Sequence, residues 1–265
     1  MSKSIISKST IQRLLRDVKQ IMKSPLHDNG VYYQHDEDDM LKGYAMIIGA
    51  EDTPYYGGYY FFEFFFPPNY PHSPPRLRYL TNGDGVRFNP NLYKTGKVCI
   101  SVLNTWRGDQ WTSCQTISSI LLTLCTVLCK DPMLNEPGIT QKHRDFKSYN
   151  TIIEYKNVEV AMLSMVNKRS GYYLDTFDRF YPVVKEHFVK NVATIQKHID
   201  GISSKYTKTT DITSTSIYSM TVTTNYSKLK AYFIETCENM SIGLQTDSHG
   251  SEKETDGRDA KEITK

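Results

Sequence analysis

The sequence predicts an α+β fold: an N-terminal helix, a four-stranded antiparallel meander, a long irregular loop, and then C-terminal helices. Three observations carry this expectation. Apolar residues recur at helical spacing between Ile11 and Met22. Four short β-prone runs follow, joined by turns rather than by helical crossovers. Beyond an irregular stretch, helical periodicity returns and persists.

Ser9 is placed to cap the first helix, and Ile11, Leu14, Leu15, Val18, Ile21 and Met22 form its apolar stripe. Ser24-Pro25 ends it, because a residue before proline is disfavoured in helical backbone. Arg13, Arg16, Lys19, Gln20 and Lys23 lie off the stripe. Those basic residues read either as a solvated face or as a docking surface for an acidic partner. Strands are expected at 31–34, 41–48, 59–66 and 76–80. The third is aromatic at every position except Glu63. It is therefore expected to be central and covered on both faces. Pro54 and Gly57-Gly58 mark the turn into it, and Pro71, Pro74 and Pro75 lead into the fourth strand.

From Thr81 to Gln110 regular periods fade and special residues cluster: Asn82-Gly83, Gly85, Asn89-Pro90-Asn91, Gly96 and Gly108. A stretch of that kind in a compact domain is usually functional. Helices are expected to resume at Ser113, with Ile117, Ile120, Leu121, Leu124 and Leu128 apolar, and again over 150–168. Residues 172–200 read as helical, with Phe180, Val184, Phe188, Val192, Ile195 and Ile199 in a stripe and Pro182 in the first turn. A Ser/Thr-rich loop is expected at 203–227 and a short helix at 228–240. The organisation predicted is a flexible N-terminus at 1–8, a core domain at 9–168, a mostly helical extension at 169–242, and a disordered tail at 243–265, where little can be buried.

Composition narrows the function. With 265 residues and 39% of them apolar, one sizeable core is affordable. No apolar run approaches the roughly 18 residues of a membrane span, and the N-terminal residues lack a secretory pattern. Thirty-two basic residues face 29 acidic ones, too even a balance to predict a nucleic-acid or membrane partner. Five cysteines, an odd number, fit free thiols in the cytoplasm or nucleus better than a disulfide framework. Neither phosphate-cradling glycine motif is present, so the chain is not expected to hydrolyse a nucleotide itself.

Cys99 stands inside the irregular loop. A thiol outside a regular element can face solvent and react, and a buried inert cysteine fits the same position. Cys125 and Cys129 would share a helical face, where core packing is the simpler reading than a metal, since no ligand pair completes a four-ligand set.

The spacing of Asn89-Pro90-Asn91 before Cys99 resembles the active-site signature of ubiquitin-conjugating enzymes, with Asn89 in place of the usual histidine. Other landmarks agree in order: 52–58 resembles the turn into the third strand, 67–75 the proline-rich crossing, and Trp111-Thr112-Ser113 the segment behind the site. Arg87-Phe88, the Gly96-Lys97-Val98-Cys99 approach, the insertion at 104–108 and Asn135-Glu136-Pro137-Gly138 most resemble the Z-type branch of that family.

The resemblance implies that Cys99 accepts ubiquitin or a similar modifier as a thioester from an activating enzyme and passes it to a substrate lysine or a ligase. ATP is spent upstream, and no cofactor is expected to be bound. Asn91 is implied as an oxyanion donor or loop support, with a plain turn asparagine as the alternative that the spacing to Cys99 disfavours. Glu136 is implied as an acid at the acceptor-lysine gate, or is an exposed loop acid. Arg13, Arg16, Lys19, His72, Ser113 and Cys114 are the expected partner surface. The alternative function is a modifier-binding module of the same fold without chemistry.

Overall fold

A computed structural model describes residues 6–81, 83, 85–205 and 210–243. The expected disordered tail, from 244 onward, and residues 1–5 of the expected flexible N-terminus lie outside the described residues. The first helix, α1 (Lys8–Lys23), starts earlier than predicted: Ser7, not Ser9, is the cap, and its hydroxyl accepts from the Thr10 amide. Its inward row is Thr10, Leu14, Asp17 and Ile21. Leu15 and Met22, expected in the stripe, are exposed. The row is shifted because two polar residues find partners inside. The Thr10 hydroxyl donates to the Pro68 carbonyl (2.9 Å), and Asp17 accepts from Arg13 Nε (2.8 Å) and from the Tyr70 hydroxyl (2.5 Å).

Four strands form the predicted meander in the order β1 (Val31–His35), β2 (Lys42–Ile48), β3 (Tyr59–Phe65) and β4 (Arg76–Tyr79), all antiparallel. Both faces of β3 are covered, as its composition predicts. On one face Tyr60 meets Phe88 and Tyr55 edge-on. On the other, Phe177 stacks on Phe61 at 3.9 Å, Arg179 lies over Tyr44 at 3.7 Å, and the Tyr59 hydroxyl donates to the Val184 carbonyl.

Helix α2 (Ile117–Val127) begins later than Ser113, because Thr116 and Ser119 form a reciprocal capping box there. Helix α3 (Phe146–Lys156) begins earlier than predicted and runs on as a π-helical segment, Asn157–Ser164. Asn157 anchors that segment to the sheet, accepting from the Tyr60 hydroxyl (2.6 Å) and donating to the Tyr56 carbonyl (2.8 Å).

After a 3-10 segment, Asp175–Phe180, the long helix α4 (Tyr181–Ser204) has Pro182 in its first turn and buries Val184, Phe188, Ile195 and Ile199. The expected Ser/Thr-rich loop is instead largely a hairpin, β5 (Asp211–Thr215) and β6 (Met220–Thr224), followed by α5 (Tyr226–Asn239). β6 shows why: Met220, Val222 and Thr224 are buried and Thr221 and Thr223 exposed, a period-two pattern of β-branched residues hidden under a polar composition. One continuous apolar core runs from Leu14 to Cys237 and includes the extension. No described helix is long and apolar enough to cross a membrane.

The hairpin turn is fastened by Asp145. Its Oδ2 accepts from the Ser216 amide (2.9 Å), the Ser216 hydroxyl (2.6 Å) and the Ile217 amide (2.9 Å). Burial pushes this carboxyl up, but the three donors outweigh burial and hold it below its ordinary value.

Two outcomes are expected. Asp17 is fully buried at its side chain and Arg13 nearly so, so Arg13→Ala strands a charge and lowers unfolding free energy by about 3 kcal/mol. Arg16→Ala, at an exposed site, changes it by less than about 0.5 kcal/mol in the same denaturant titration. Asp145 has a folded-state pKa below the unfolded one, so its contribution is present above the unfolded value, about 3.9, and is lost as pH falls through the lower folded value. The Ser216 and Ile217 amide shifts should therefore hold steady at pH 5 and move toward undocked values below about pH 4. Asp145→Asn abolishes that acid transition.

Candidate active site

The irregular stretch is organised by side-chain amides rather than by a ladder. Residues 92–98 form a small reversal: the Tyr93 amide donates to the Lys97 carbonyl, and the Gly96 amide to the Tyr93 carbonyl. Gly96 has φ 86°, and a Cβ there would stand 2.9 Å from the Tyr79 carbonyl oxygen, so glycine is required. The reversal is pinned to β4, since the Tyr79 amide donates to the Gly96 carbonyl (2.7 Å).

Asn89 is fully buried and uses both ends of its amide. Its Nδ2 donates to the Tyr55 hydroxyl (2.8 Å) and the Val127 carbonyl (2.7 Å), while its Oδ1 accepts from the Asn91 amide (2.9 Å). The Tyr55 hydroxyl in turn donates to the Phe88 carbonyl. An uncharged amide suits this position, because each of its contacts is to a neutral group.

Cys99 and Asn91 are brought together. The Cys99 amide donates to the Asn91 carbonyl (2.9 Å) and Asn91 Nδ2 donates to the Cys99 carbonyl (2.7 Å). Asn91 Oδ1 is buried and has no hydrogen-bond partner among the described residues. Thr105 completes the frame: its hydroxyl accepts from the Ile100 amide (3.0 Å).

The open display of the thiol that its loop position suggested is not what the fold presents. Cys99 is 2% exposed. Its backbone is held on both sides, by Asn91 and by the Ile100–Thr105 frame, which draws the residue into the loop's own packing. Beside it lies a recess of about 170 Å³ bordered by Asn91, Ile100, Ser101, Trp106, Thr123, Val127 and Asn135. Trp106, from the insertion, also borders a second cavity together with Pro137. The insertion thus faces the 135–138 segment beside the thiol.

Glu136 is half-buried, between Asn135 and Pro137, which border those two cavities. It is not a free loop acid: its Oε2 accepts from the Tyr218 hydroxyl. Burial pushes the Cys125 and Cys237 thiols up to about 11, away from the thiolate form. Among the described residues no group of His, Cys, Asp and Glu could hold a metal ion.

Of the residues expected at a partner surface, all but Arg13 are exposed. His72, Ser113 and Cys114 are exposed, and Trp111 Nε1 and the Ser113 hydroxyl both donate to the Pro71 carbonyl, joining the two loops. Arg16 and Lys19 are exposed on α1. Arg13 is not a free cation: it is spent on Asp17 and on the carbonyls of Ser113 and Gln115. Its charge is consumed by the helix-to-loop junction.

Sequence reasoning missed Tyr218, Arg87 as an interacting cation, Asn135 and Asp145. Asn135 stood inside a quoted motif, and its Nδ2 bond to the Val127 carbonyl (3.0 Å) needs the fold to be seen. Tyr218 carries no local signal, lying between Ile217 and Ser219 in a segment read as loop.

The family profile described as ubiquitin-conjugating enzyme matches residues 13–159. The chain is 41% identical over 163 residues to the ubiquitin-conjugating enzyme E2 Z of Xenopus tropicalis, covering 60% of this chain and 51% of that one. It is 43% identical over 157 residues to the human protein of the same name, covering 58% and 44%. A Caenorhabditis elegans protein named probable ubiquitin-conjugating enzyme protein 17 is 33% identical over 210 residues, covering 74% and 28%. The chain spans about half the length, or less, of the curated relatives it matches. The profile match covers more than half of the chain and shows that the chain belongs to the ubiquitin-conjugating enzyme family.

Proposed function

We propose that the chain accepts ubiquitin, or a ubiquitin-like modifier, on Cys99 and passes it to an amine or to a ligase thiol. The observation that carries this reading is the reciprocal pair of hydrogen bonds between Asn91 and Cys99 in the motif-bearing loop. In charging, the Cys99 thiolate attacks the modifier's C-terminal thioester carbonyl. A new S–C bond forms, the bond to the activating enzyme's sulfur breaks, and that sulfur leaves as a thiolate. In discharge, a neutral lysine amine attacks the same carbonyl. The N–C bond forms, the C–S bond breaks, and the nitrogen loses a proton.

Each step passes through an oxyanion at the carbonyl. Asn91 Nδ2, held at the Cys99 carbonyl, is the nearby donor from this loop, and it either serves the oxyanion after a side-chain rotation or keeps the loop in shape. Glu136 supplies a negative charge for aligning the acceptor ammonium before it loses its proton. Because Cys99 is nearly enclosed, charging requires the packing around its thiol to open.

Partners on this reading are the modifier, an activating enzyme, ligases and protein substrates. ATP is consumed by the activating enzyme, and no cofactor is assigned to this chain. The ligase-facing surface comprises Arg16, Lys19, His72, Ser113 and Cys114, with Leu15 and Met22 sharing the Lys19 face of α1. Free cysteines fit a cytoplasmic or nuclear setting.

Incubation with activating enzyme, modifier and ATP should yield a reductant-sensitive adduct that is absent in Cys99→Ala. Modifier affinity without an adduct would instead support the binding-module alternative. Asn91→Ala should slow discharge to free lysine by about 100-fold, measured as single-turnover loss of the adduct. An oxyanion role predicts that the folded loop persists in this variant, and a loop role predicts faster amide exchange at Cys99.

A further inference from the structure

The turn between β5 and β6 makes far more contact with the active-site segment than closing a hairpin requires. Tyr218 and Ser219 have φ of 62° and 47°. Side-chain-bearing residues rarely adopt that conformation, and it persists where the surroundings enforce it. Tyr218 is where the enforcement is concentrated. Its hydroxyl donates to Glu136 Oε2, and its carbonyl accepts from Lys94 Nζ (3.1 Å). The Arg87 guanidinium lies 4.1 Å from the centre of its ring and 3.7 Å from that of Tyr93. Arg87 Nη2 donates to the Pro90 carbonyl, and the Arg87 carbonyl accepts from the Tyr149 hydroxyl (3.0 Å). Tyr149 meets the Tyr218 ring edge-on.

A single residue of the extension thus touches both sides of the site. Through Arg87 it braces the Asn89-Pro90-Asn91 segment, and through its hydroxyl it engages the acid between Asn135 and Pro137. Burial, and then the Glu136 carboxylate, push the Tyr218 hydroxyl well above its ordinary value, so it remains a proton donor at neutral pH. Glu136 Oε1 makes no hydrogen bond among the described residues, which leaves it available to an approaching ammonium group.

We propose that Tyr218 is a positioning residue for attack by the acceptor amine, fixing the Glu136 carboxylate with its hydroxyl and the Asn89-Pro90-Asn91 segment with its ring. This rests on the thioester reading above. It makes the extension part of the transfer site, and it separates two functions of one side chain that two substitutions can remove in turn.

The full chain, charged in advance, is discharged to increasing concentrations of free lysine in single turnovers. Tyr218→Phe should lower the maximal discharge rate about tenfold, the effect of losing one hydrogen bond to a charged group, with the half-saturating lysine concentration little changed. In a Glu136→Gln background the same substitution should add less than about twofold, because the hydroxyl acts through that carboxylate. In the uncharged protein, Tyr218→Ala should speed amide exchange over 88–99, whereas Tyr218→Phe, which keeps the ring, should not. Ser214→Ala, on the exposed part of the hairpin, serves as a control with wild-type rates. An adduct whose discharge ignores Tyr218→Phe, or an equal loss in both backgrounds, overturns the hydroxyl's role. Unchanged exchange in Tyr218→Ala overturns the ring's role. A wild-type chain that forms no adduct overturns the thioester reading together with the role in aminolysis, and the exchange measurement still decides whether the brace exists.

Discussion

The arrangement depends on one constraint: a long irregular loop, mostly buried, must satisfy its backbone polar groups without a ladder. A buried peptide group left unpaired costs about 1–3 kcal/mol. Asn89 and Asn91 meet this demand with amides that donate and accept at once. Asn89 ties the loop to the Tyr55 turn and to the end of α2, and Asn91 ties it to Cys99. The Cys99 backbone is thereby fixed by the residues that define the motif.

This also explains why histidine is dispensable at position 89. The contacts there are to a hydroxyl, a carbonyl and an amide, none of which needs a titratable partner. A neutral amide meets all three at any pH. The same logic governs α1, where Arg13 is directed inward to neutralise Asp17 and bind two loop carbonyls. In both places a polar side chain that looks available in sequence is committed to holding one element against another.

The meander was legible because its strands are short, apolar and separated by proline and glycine, and each strand lies within a residue or so of its expected limits. Cys99 and Asn91 stood out only because the 89–99 stretch resembles the family signature, and the fold brings the two together. The burial of Cys99 was not legible, because enclosure depends on Thr105 and Asn91 closing around it from different positions. Arg13 was misread for a related reason: helical spacing shows which face a residue occupies, not whether a buried Asp17 awaits it one turn on. The hairpin at 211–224 was missed because serine and threonine content masked alternation. Tyr218 is the clearest limit, since its partners Arg87, Lys94 and Glu136 lie more than eighty residues upstream and no local pattern announces them.

Covering the second face of β3 has a consequence for synthesis. Tyr44, Tyr59 and Phe61 are covered by Phe177, Arg179 and Val184, over a hundred residues later. While the ribosome is still adding those residues, the sheet presents an aromatic surface with nothing of its own chain to set against it. Such surfaces attract other unfinished chains. The extension therefore closes a face of the sheet that the earlier part of the chain leaves open.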